Sequence, residues 1–261
     1  MPDAQDLVRV ECPSRHRTDI VLDRPHKLNA LTAGMLRGIA NIACALHTDE
    51  DPRVVVLRSS ETRAFCVGAD LEEQAGLRTA EDAYRLSELG CLAFQALAQI
   101  PCPVIAQIDG HALGGGLELA LACDLRVAGG TANMSFPETG LGNSPAWGGT
   151  ARLATLVGPS RAMELILTGM SLDSASAERW GLLNRAVDGE AADAVDLLAG
   201  AIASRAPIAQ RSAKRTVQAA SPRPAPFFDA SHAAFQITTA DAREGKAAFA
   251  DRKRSPEFIG K

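Results

Sequence analysis

The 261-residue chain is poor in aromatic side chains, which make up 4% of it, and it contains a single tyrosine and two tryptophans. No apolar run approaches the roughly 20 residues that cross a bilayer, so we expect no membrane-spanning helix. The six cysteines are scattered and form no CxxC pair, which is typical of buried thiols in a reducing compartment rather than of a zinc site. These absences leave the class of aliphatic, soluble globular proteins.

The chain also lacks an excess of positive charge, since its formal net charge is −4. Nucleic-acid-binding domains are usually basic overall or in one patch, so we expect no nucleic-acid partner. The first ten residues carry two acids and no apolar segment of the kind that forms a signal peptide. We therefore predict a cytoplasmic protein without a membrane association.

Several catalytic signatures are missing. The sequence has no GxSxG, no GxxxxGK[ST], no GxGxxG after a predicted strand and no HExxH. Serine hydrolases of the nucleophile-elbow type, P-loop enzymes, dinucleotide-binding folds and zinc proteases are thereby disfavoured. The five histidines share no spacing that would suggest a metal site.

Hydrophobic periodicity indicates an α/β fold, because strands and helices alternate up to about residue 130 and suggest parallel strands. Thr32 and Thr79 are predicted to cap helices, and the remainder of the chain is mostly helical. Strands are expected at 7–12, 18–22, 54–57, 104–108, 125–128 and 133–136, with a last short one closing at Val187. Further helices are expected at 117–123, 146–157, 159–168, 174–180, 190–205, 208–219 and 226–253, the last with a break.

The triple glycine Gly114–Gly116 directly precedes a predicted helix. Glycine permits close approach of a ligand, and the first N–H groups of a helix lack intrahelical partners, so this segment could bind an anion. A tight turn is the alternative explanation. Glu118 follows in an otherwise apolar stretch, where burial would suit it to proton transfer, although a simple helix cap is also consistent. Glu138 lies in a second loop, and whether the two carboxylates converge is left open by the sequence.

Five ordered segments resemble the crotonase, or enoyl-CoA hydratase/isomerase, superfamily, and most closely its enoyl-CoA hydratases. They are Arg24-Pro25 with 28–31, AFCVGADL at 64–71, ALGGGLELALACDLRVA at 112–128, FPETGLG at 136–142 with GGTARL at 148–153, and 243–245 with 249–258. The resemblance covers nearly the whole chain. It implies a spiral of ββα turns over residues 1–195, with a helical C-terminal trimerisation region over 196–261 that belongs to the same functional domain. It also implies self-association into a homotrimer or a dimer of trimers.

The resemblance implies the addition of water to a 2-trans-enoyl-CoA, which yields a 3-hydroxyacyl-CoA. The backbone N–H groups of Ala69 and Gly115 match the family's oxyanion hole. Glu118 matches the carboxylate that activates water, and Glu138 matches the one that exchanges the α-proton. Both glutamates are present, as in the hydratases. The family's reaction needs no metal or redox cofactor, since coenzyme A is part of the substrate.

Further residues match the family's acyl-CoA contacts. Cations for the phosphates of coenzyme A are expected among Arg24, Lys27, Lys253 and Lys261. The complete set of expected substrate contacts is Arg24, Lys27, Leu28, Ala30, Asp70, Leu71, Gly114 and Trp147.

The chain departs from the family pattern in two places. Where many hydratases carry a lysine after the residue matching Leu71, this chain has Glu72 and Glu73. A glycine whose N–H helps to place the catalytic water is matched by Ala146, and Trp147 follows it. We hypothesise that Trp147 or its neighbours reshape the acyl pocket and exclude some chains; packing of Trp147 against the C-terminal helices is the alternative.

Two other functions remain open at this stage. One is a different acyl-CoA reaction on the same fold, namely double-bond isomerisation, dehydration, thioester hydrolysis or decarboxylation. The other is a non-catalytic binding member such as the few relatives that bind RNA, against which the net negative charge argues.

Overall fold

The computed structural model describes residues 7–49, 51–220, 226–251 and 254–259. Its strands are Val8–Ser14 (β1), Arg17–Leu22 (β2), Val54–Ser59 (β3), Ala64–Cys66 (β4), Val104–Ile108 (β5), His111–Leu113 (β6), Leu125–Ala128 (β7), Asn133–Ser135 (β8), Leu172–Asp173 (β9) and Arg185–Ala186 (β10). Its α-helices are Ala33–Thr48 (α1), Leu71–Ala75 (α2), Ala80–Ala98 (α3), Gly115–Leu121 (α4), Gly149–Val157 (α5), Pro159–Thr168 (α6), Ser174–Trp180 (α7), Ala192–Ala203 (α8), Pro207–Ala220 (α9), Pro226–Gln236 (α10) and Ala240–Ala250 (α11). Two 3₁₀ turns lie at Pro25–Lys27 and Glu138–Leu141.

The strands form two sheets, and the chain alternates between them. The larger sheet has the order β1-β2-β3-β5-β7-β10, and the smaller one has the order β4-β6-β8-β9. The pairs β3/β4, β5/β6 and β7/β8 each place one strand in each sheet before the chain continues into a helix. This repeated step is the spiral of ββα turns that the resemblance implied, so the expected fold class is confirmed.

The inner strands of the larger sheet are buried on both faces. Val55 and Leu57 point into the main apolar core, whereas Val54 and Val56 belong to a second cluster with Val195 of α8. A strand covered on both faces reads as a continuous apolar run, which is why β3 was recognisable in the sequence.

Helix starts follow local capping. The Thr32 hydroxyl accepts the N–H of Met35, and Thr79 forms a reciprocal capping box with Asp82 at the start of α3. The helix after the triple glycine begins at Gly115, two residues earlier than expected, and α5 begins at Gly149 rather than at residue 146. The expected break in the last helix separates α10 from α11.

The last two helices, α10 and α11, pack against two different elements. Helix α10 lies along α3, and α11 packs on the 3₁₀ turn Glu138–Leu141. A Cβ atom on Gly245 of α11 would overlap the backbone of Leu141, so the two backbones are in direct contact. None of the helices in the described part of the chain is long and apolar enough to cross a membrane.

Candidate active site

Three neighbouring strands of the small sheet deliver the expected catalytic segments. Strands β4, β6 and β8 run parallel and side by side. Gly68 and Ala69 follow β4, Gly114 and Gly115 follow β6, and Glu138 follows β8. Because the carboxyl ends of parallel strands meet at one edge, segments far apart in the chain come together there.

Ala69 and Gly115 each leave a backbone N–H unused within the described residues. Leu31 pairs with this segment by donating to Gly68 O and accepting from Asp70 N, which leaves the N–H of Ala69 unused. Gly115 is the first residue of α4, so its N–H has no intrahelical partner. A Cβ on Gly68, whose φ is +93°, would lie 3.0 Å from Gly115 N, which shows how closely the two segments approach. Both residues line the same cavity.

Glu118 is 2% exposed and its side chain is held by a backbone turn. Its Oε1 accepts the N–H groups of Trp147 and Gly149, each at 2.8 Å. A Cβ on Gly149 would overlap the Glu118 side chain, so only glycine fits there. The two donors fix the orientation of the carboxyl group and complement a negative charge on it.

Glu138 lies in a different environment. Burial, together with the nearby negative charge of Glu118, raises the pKa of Glu138 to about 8. Its Oε2 is buried and has no hydrogen-bond partner among the residues that the structure describes. A Cβ on Gly114, whose φ is +51°, would lie 2.6 Å from Oε1 of Glu138, so a glycine is required beside this carboxyl. At neutral pH Glu138 therefore holds a proton.

These groups line a cavity of about 620 Å³. The cavity is walled by the small sheet's carboxyl edge, by α3 and by the last two helices. Of the substrate contacts expected from the sequence, it brings together Lys27, Ala30, Asp70, Leu71, Gly114 and Trp147, besides both glutamates and both expected oxyanion donors.

Arg24 and Leu28, the other two expected substrate contacts, are not among the residues that line the cavity. The Arg24 guanidinium donates to Asp70 and to the carbonyl oxygen of Ala30. Burial alone would raise the pKa of Asp70, but Arg24 and two backbone N–H groups lower it overall. Leu28 adopts a left-handed conformation with φ of 52° and closes the turn that begins at Pro25. Both residues shape the loop beside the site.

The other expected cations divide into two groups. Lys27 lines the cavity but forms an ion pair with Glu72, one of the two glutamates that replace the family's lysine. Lys253 and Lys261 lie outside the described residues.

Trp147 both lines the cavity and packs in the core. It is 5% exposed, and its ring meets that of Phe94 edge to face at 5.6 Å. The indole occupies the space that a Cβ on Gly90 or on Gly115 would need. Its packing partners thus include α3 and α4.

Sequence reasoning missed several cavity residues. Gln236 of α10 and Lys246 and Phe249 of α11 line the cavity, and burial lowers the pKa of Lys246. Ser87 of α3 lines it as well. These residues lie in helices and belong to no recognisable sequence motif. The only sequence feature that could have indicated a role in the cavity is the presence of a polar or charged residue in an amphipathic helix.

Comparison with known proteins agrees with this arrangement. The family model described as enoyl-CoA hydratase/isomerase matches residues 18–261. The chain belongs to the enoyl-CoA hydratase/isomerase family. It is 39% identical over 263 residues to a probable enoyl-CoA hydratase 2, mitochondrial, of Arabidopsis thaliana, covering 99% of this chain and 87% of that protein. It is 40% identical over 261 residues to an enoyl-CoA hydratase domain-containing protein 2, mitochondrial, of mouse, covering 95% and 86%.

Solved structures of this family share the fold. A crystal structure of an enoyl-CoA hydratase from Bacillus anthracis has a TM-score of 0.78 at 34% identity, covering 98% of this chain and all of that one. The family acts on acyl-CoA substrates.

The prediction that the protein is cytoplasmic is wrong. It rested on the first ten residues, whereas the similar proteins from Arabidopsis and mouse are both named as mitochondrial.

Proposed function

We propose that this protein is an enoyl-CoA hydratase, which adds water across the 2,3 double bond of a 2-trans-enoyl-CoA to give a 3-hydroxyacyl-CoA. The observation that carries the proposal is the unequal pair of glutamates in one cavity. Glu118 accepts two N–H groups, while Glu138 keeps its proton up to a pH of about 8. Two carboxyl groups in opposite protonation states are what a hydration needs, since one proton is taken and one is given.

In the proposed mechanism, the thioester oxygen accepts hydrogen bonds from the N–H groups of Ala69 and Gly115. The Glu118 carboxylate takes a proton from water, and the hydroxyl adds to the β-carbon. Electrons move through the α-carbon to the thioester oxygen, where the two N–H groups stabilise the enolate; each such donor is typically worth about 3–4 kcal/mol. Glu138 then gives its proton to the α-carbon, which completes the addition.

Main-chain donors and carboxyl groups carry every step of this mechanism, so it calls for no metal or redox cofactor. Coenzyme A enters as part of the substrate. We assign its anionic groups to the cations that line the cavity, Lys27 and Lys246.

Crotonyl-CoA provides the direct test. We expect loss of the enoyl-thioester absorbance with 3-hydroxybutyryl-CoA as the product, identified by mass. Glu118→Gln and Glu138→Gln should each lower kcat by about 10²- to 10⁴-fold, because general acid–base groups contribute on that scale. Ala69→Ser, which keeps the N–H group, is the matched control and should keep most of the activity.

Other products would contradict the proposal in informative ways. A shifted double bond would identify an isomerase, free coenzyme A a thioester hydrolase, and loss of carbon dioxide from a carboxylated acyl-CoA a decarboxylase. No turnover of any enoyl-CoA, together with RNA retained in a salt-dependent manner, would indicate a binding member.

We also propose that the protein forms a homotrimer or a dimer of trimers. Large apolar side chains lie exposed on several helices: Met163 and Leu167 on α6, Phe235 on α10 and Phe249 on α11 are 56–70% exposed. Such side chains favour burial between subunits. Light scattering of the protein as it elutes from a size-exclusion column measures the mass of the assembly directly, and the mass of a monomer would contradict this proposal.

A further inference from the structure

Trp147 lines two cavities. One is the 620 Å³ cavity that contains both glutamates. The other, of about 240 Å³, lies between α3, α5, α9 and the chain after α4. Its wall is mixed: Ala98, Leu121 and Leu156 are apolar, whereas Asp124 and Arg152 are charged.

The indole is held firmly in this position. A Cβ on Gly90 would lie 2.5 Å from the indole Cδ1 and Nε1 atoms, and a Cβ on Gly115 would overlap the other end of the ring. Phe94 closes the side of the ring with an edge-to-face contact. Rotation of the indole away from Gly90 and Gly115 would need α3 and α4 to move. The two cavities therefore stay separate while the tryptophan is present.

The ring also lies beside the position where chemistry is expected. It touches Gly115, whose N–H is one of the two proposed donors to the thioester oxygen, and its own backbone N–H donates to Glu118. An acyl chain that leaves the thioester therefore meets the indole early, within the first cavity.

From this geometry we propose that Trp147 sets the acyl-chain length by closing off the second, partly apolar cavity, into which a longer chain would otherwise extend. This inference rests on the proposed function and deepens it, because it assigns the substrate to short-chain acyl-CoA thioesters. Removing the indole joins the two cavities and converts the site into one for longer chains.

Binding of saturated acyl-CoAs tests this without relying on turnover. Calorimetry gives the dissociation constants of butanoyl-CoA and decanoyl-CoA for the full chain and for Trp147→Ala. We expect the ratio of the two constants to shift toward decanoyl-CoA by about tenfold or more in the variant, since single methylene groups in an apolar pocket already change selectivity by that order. The same shift is expected in kcat/KM for 2-decenoyl-CoA against crotonyl-CoA.

Refilling the second cavity supplies the matched control. Ala98 lines only that cavity, so Ala98→Leu alone should leave the chain-length profile unchanged. Added to Trp147→Ala, it should abolish most of the gain for decanoyl-CoA. Where Trp147→Ala does not fold, Trp147→Leu keeps apolar bulk in the core and should show a smaller shift in the same direction.

Two results would overturn the inference: an unchanged ratio in folded Trp147→Ala or Trp147→Leu, or a gain that Ala98→Leu does not reverse. Failure of the proposed function has a different signature, because the unmodified protein would then bind butanoyl-CoA but leave crotonyl-CoA unhydrated.

Discussion

The hydroxyl of Ser87 donates a hydrogen bond of 2.7 Å to the carbonyl oxygen of Ala146, and that carbonyl shares a peptide group with the N–H that Trp147 donates to Glu118. Since a peptide group is planar, Ser87 and Glu118 hold opposite ends of one rigid unit. Helix α3, remote in sequence from both glutamates, thereby positions the proposed general base.

Replacing Ser87 by alanine should therefore impair catalysis more than substrate binding. We expect kcat for crotonyl-CoA to fall about five- to tenfold with little change in KM, because one buried hydrogen bond of about 1 kcal/mol holds the peptide. Ser87→Thr, which retains the hydroxyl, should recover most of the rate. Cys91→Ala removes only a weak thiol donor to the same carbonyl, at 3.3 Å, and should have a smaller effect. Equal kinetics for Ser87→Ala and the unmodified protein would refute a positioning role.

The pH dependence of the rate should report the titration of Glu138. Hydration needs protonated Glu138, whose pKa is about 8, so kcat/KM for crotonyl-CoA should fall as pH rises through 8. Dehydration of 3-hydroxybutyryl-CoA should fall over the same interval, because the reaction exchanges no net proton and its equilibrium constant, which is the ratio of the two kcat/KM values, is independent of pH. Initial rates in both directions from pH 6 to 10 check this. A kcat/KM that stays constant through pH 8 would exclude Glu138 as the group that exchanges the α-proton.

Glu138 should also make stability depend on pH. Its pKa is about 8 in the folded protein against an ordinary value of 4.5, so the folded state binds this proton more tightly than the unfolded chain does. Below pH 4.5 the group is protonated in both states, and its unfavourable contribution accumulates as pH rises toward 8. Glu138→Gln should therefore raise the free energy of unfolding, relative to the unmodified protein, at pH 8.5 and not at pH 4. Urea denaturation at the two pH values measures the difference, and an equal effect at both would argue against a buried, protonated carboxyl.

Gly90 should tolerate a side chain only when the tryptophan is reduced in size. A Cβ at Gly90 meets the indole of Trp147 at 2.5 Å, so Gly90→Ala should destabilise the fold by about 1–3 kcal/mol. Combining it with Trp147→Phe should cost less than the sum of the two single changes, with a coupling of at least about 0.5 kcal/mol. Gly200→Ala in α8 is the control, since a Cβ there meets no atom within 4 Å and should stabilise the helix slightly. Strictly additive changes in the free energy of unfolding would mean that the indole can adopt another position that avoids the new Cβ.

The ion pair between Lys27 and Glu72 should weaken binding of coenzyme A. Glu72→Gln removes a negative charge from the cavity wall and frees the ammonium group of Lys27 for a phosphate. We expect KM for crotonyl-CoA to fall about two- to fivefold at low salt, with the difference lost at high salt. Glu81→Gln makes the same change of charge at an exposed pair with Arg85 whose two residues do not line the cavity. If both variants lower KM equally, the effect is one of net charge alone.

The parts of the fold that sequence predicted are those with strong local signals. Val104–Ile108 and Leu125–Ala128 are mostly apolar strands of the larger sheet, and the helices 159–168 and 174–180 have the bounds expected for them. The three-residue strands β4 and β6 were missed because their pairing partners lie in the second sheet, far away in sequence. The ββα step repeats in space without repeating in sequence.

The candidate site divides in the same way. Glu118 and Glu138 could be named from their motifs, and their convergence required the parallel neighbours β4, β6 and β8. Lys246 and Ser87 carry no motif, and only the packing of α11 and α3 brings them to the cavity. Arg24 was expected to bind phosphate, but its guanidinium donates a hydrogen bond to Asp70, which lies 46 positions away in the sequence.

The two N–H groups that follow β4 and β6 belong to the main chain, whereas the two carboxyl groups are side chains. Among the ordinary substitutions, only proline can delete an N–H group, but a single base change can replace a glutamate. On the proposed mechanism, substitution can therefore remove a proton-transfer group far more readily than it can remove stabilisation of the enolate. A new reaction on such a chain would begin with the loss or relocation of one carboxyl group, while the two N–H groups still bind and polarise the thioester.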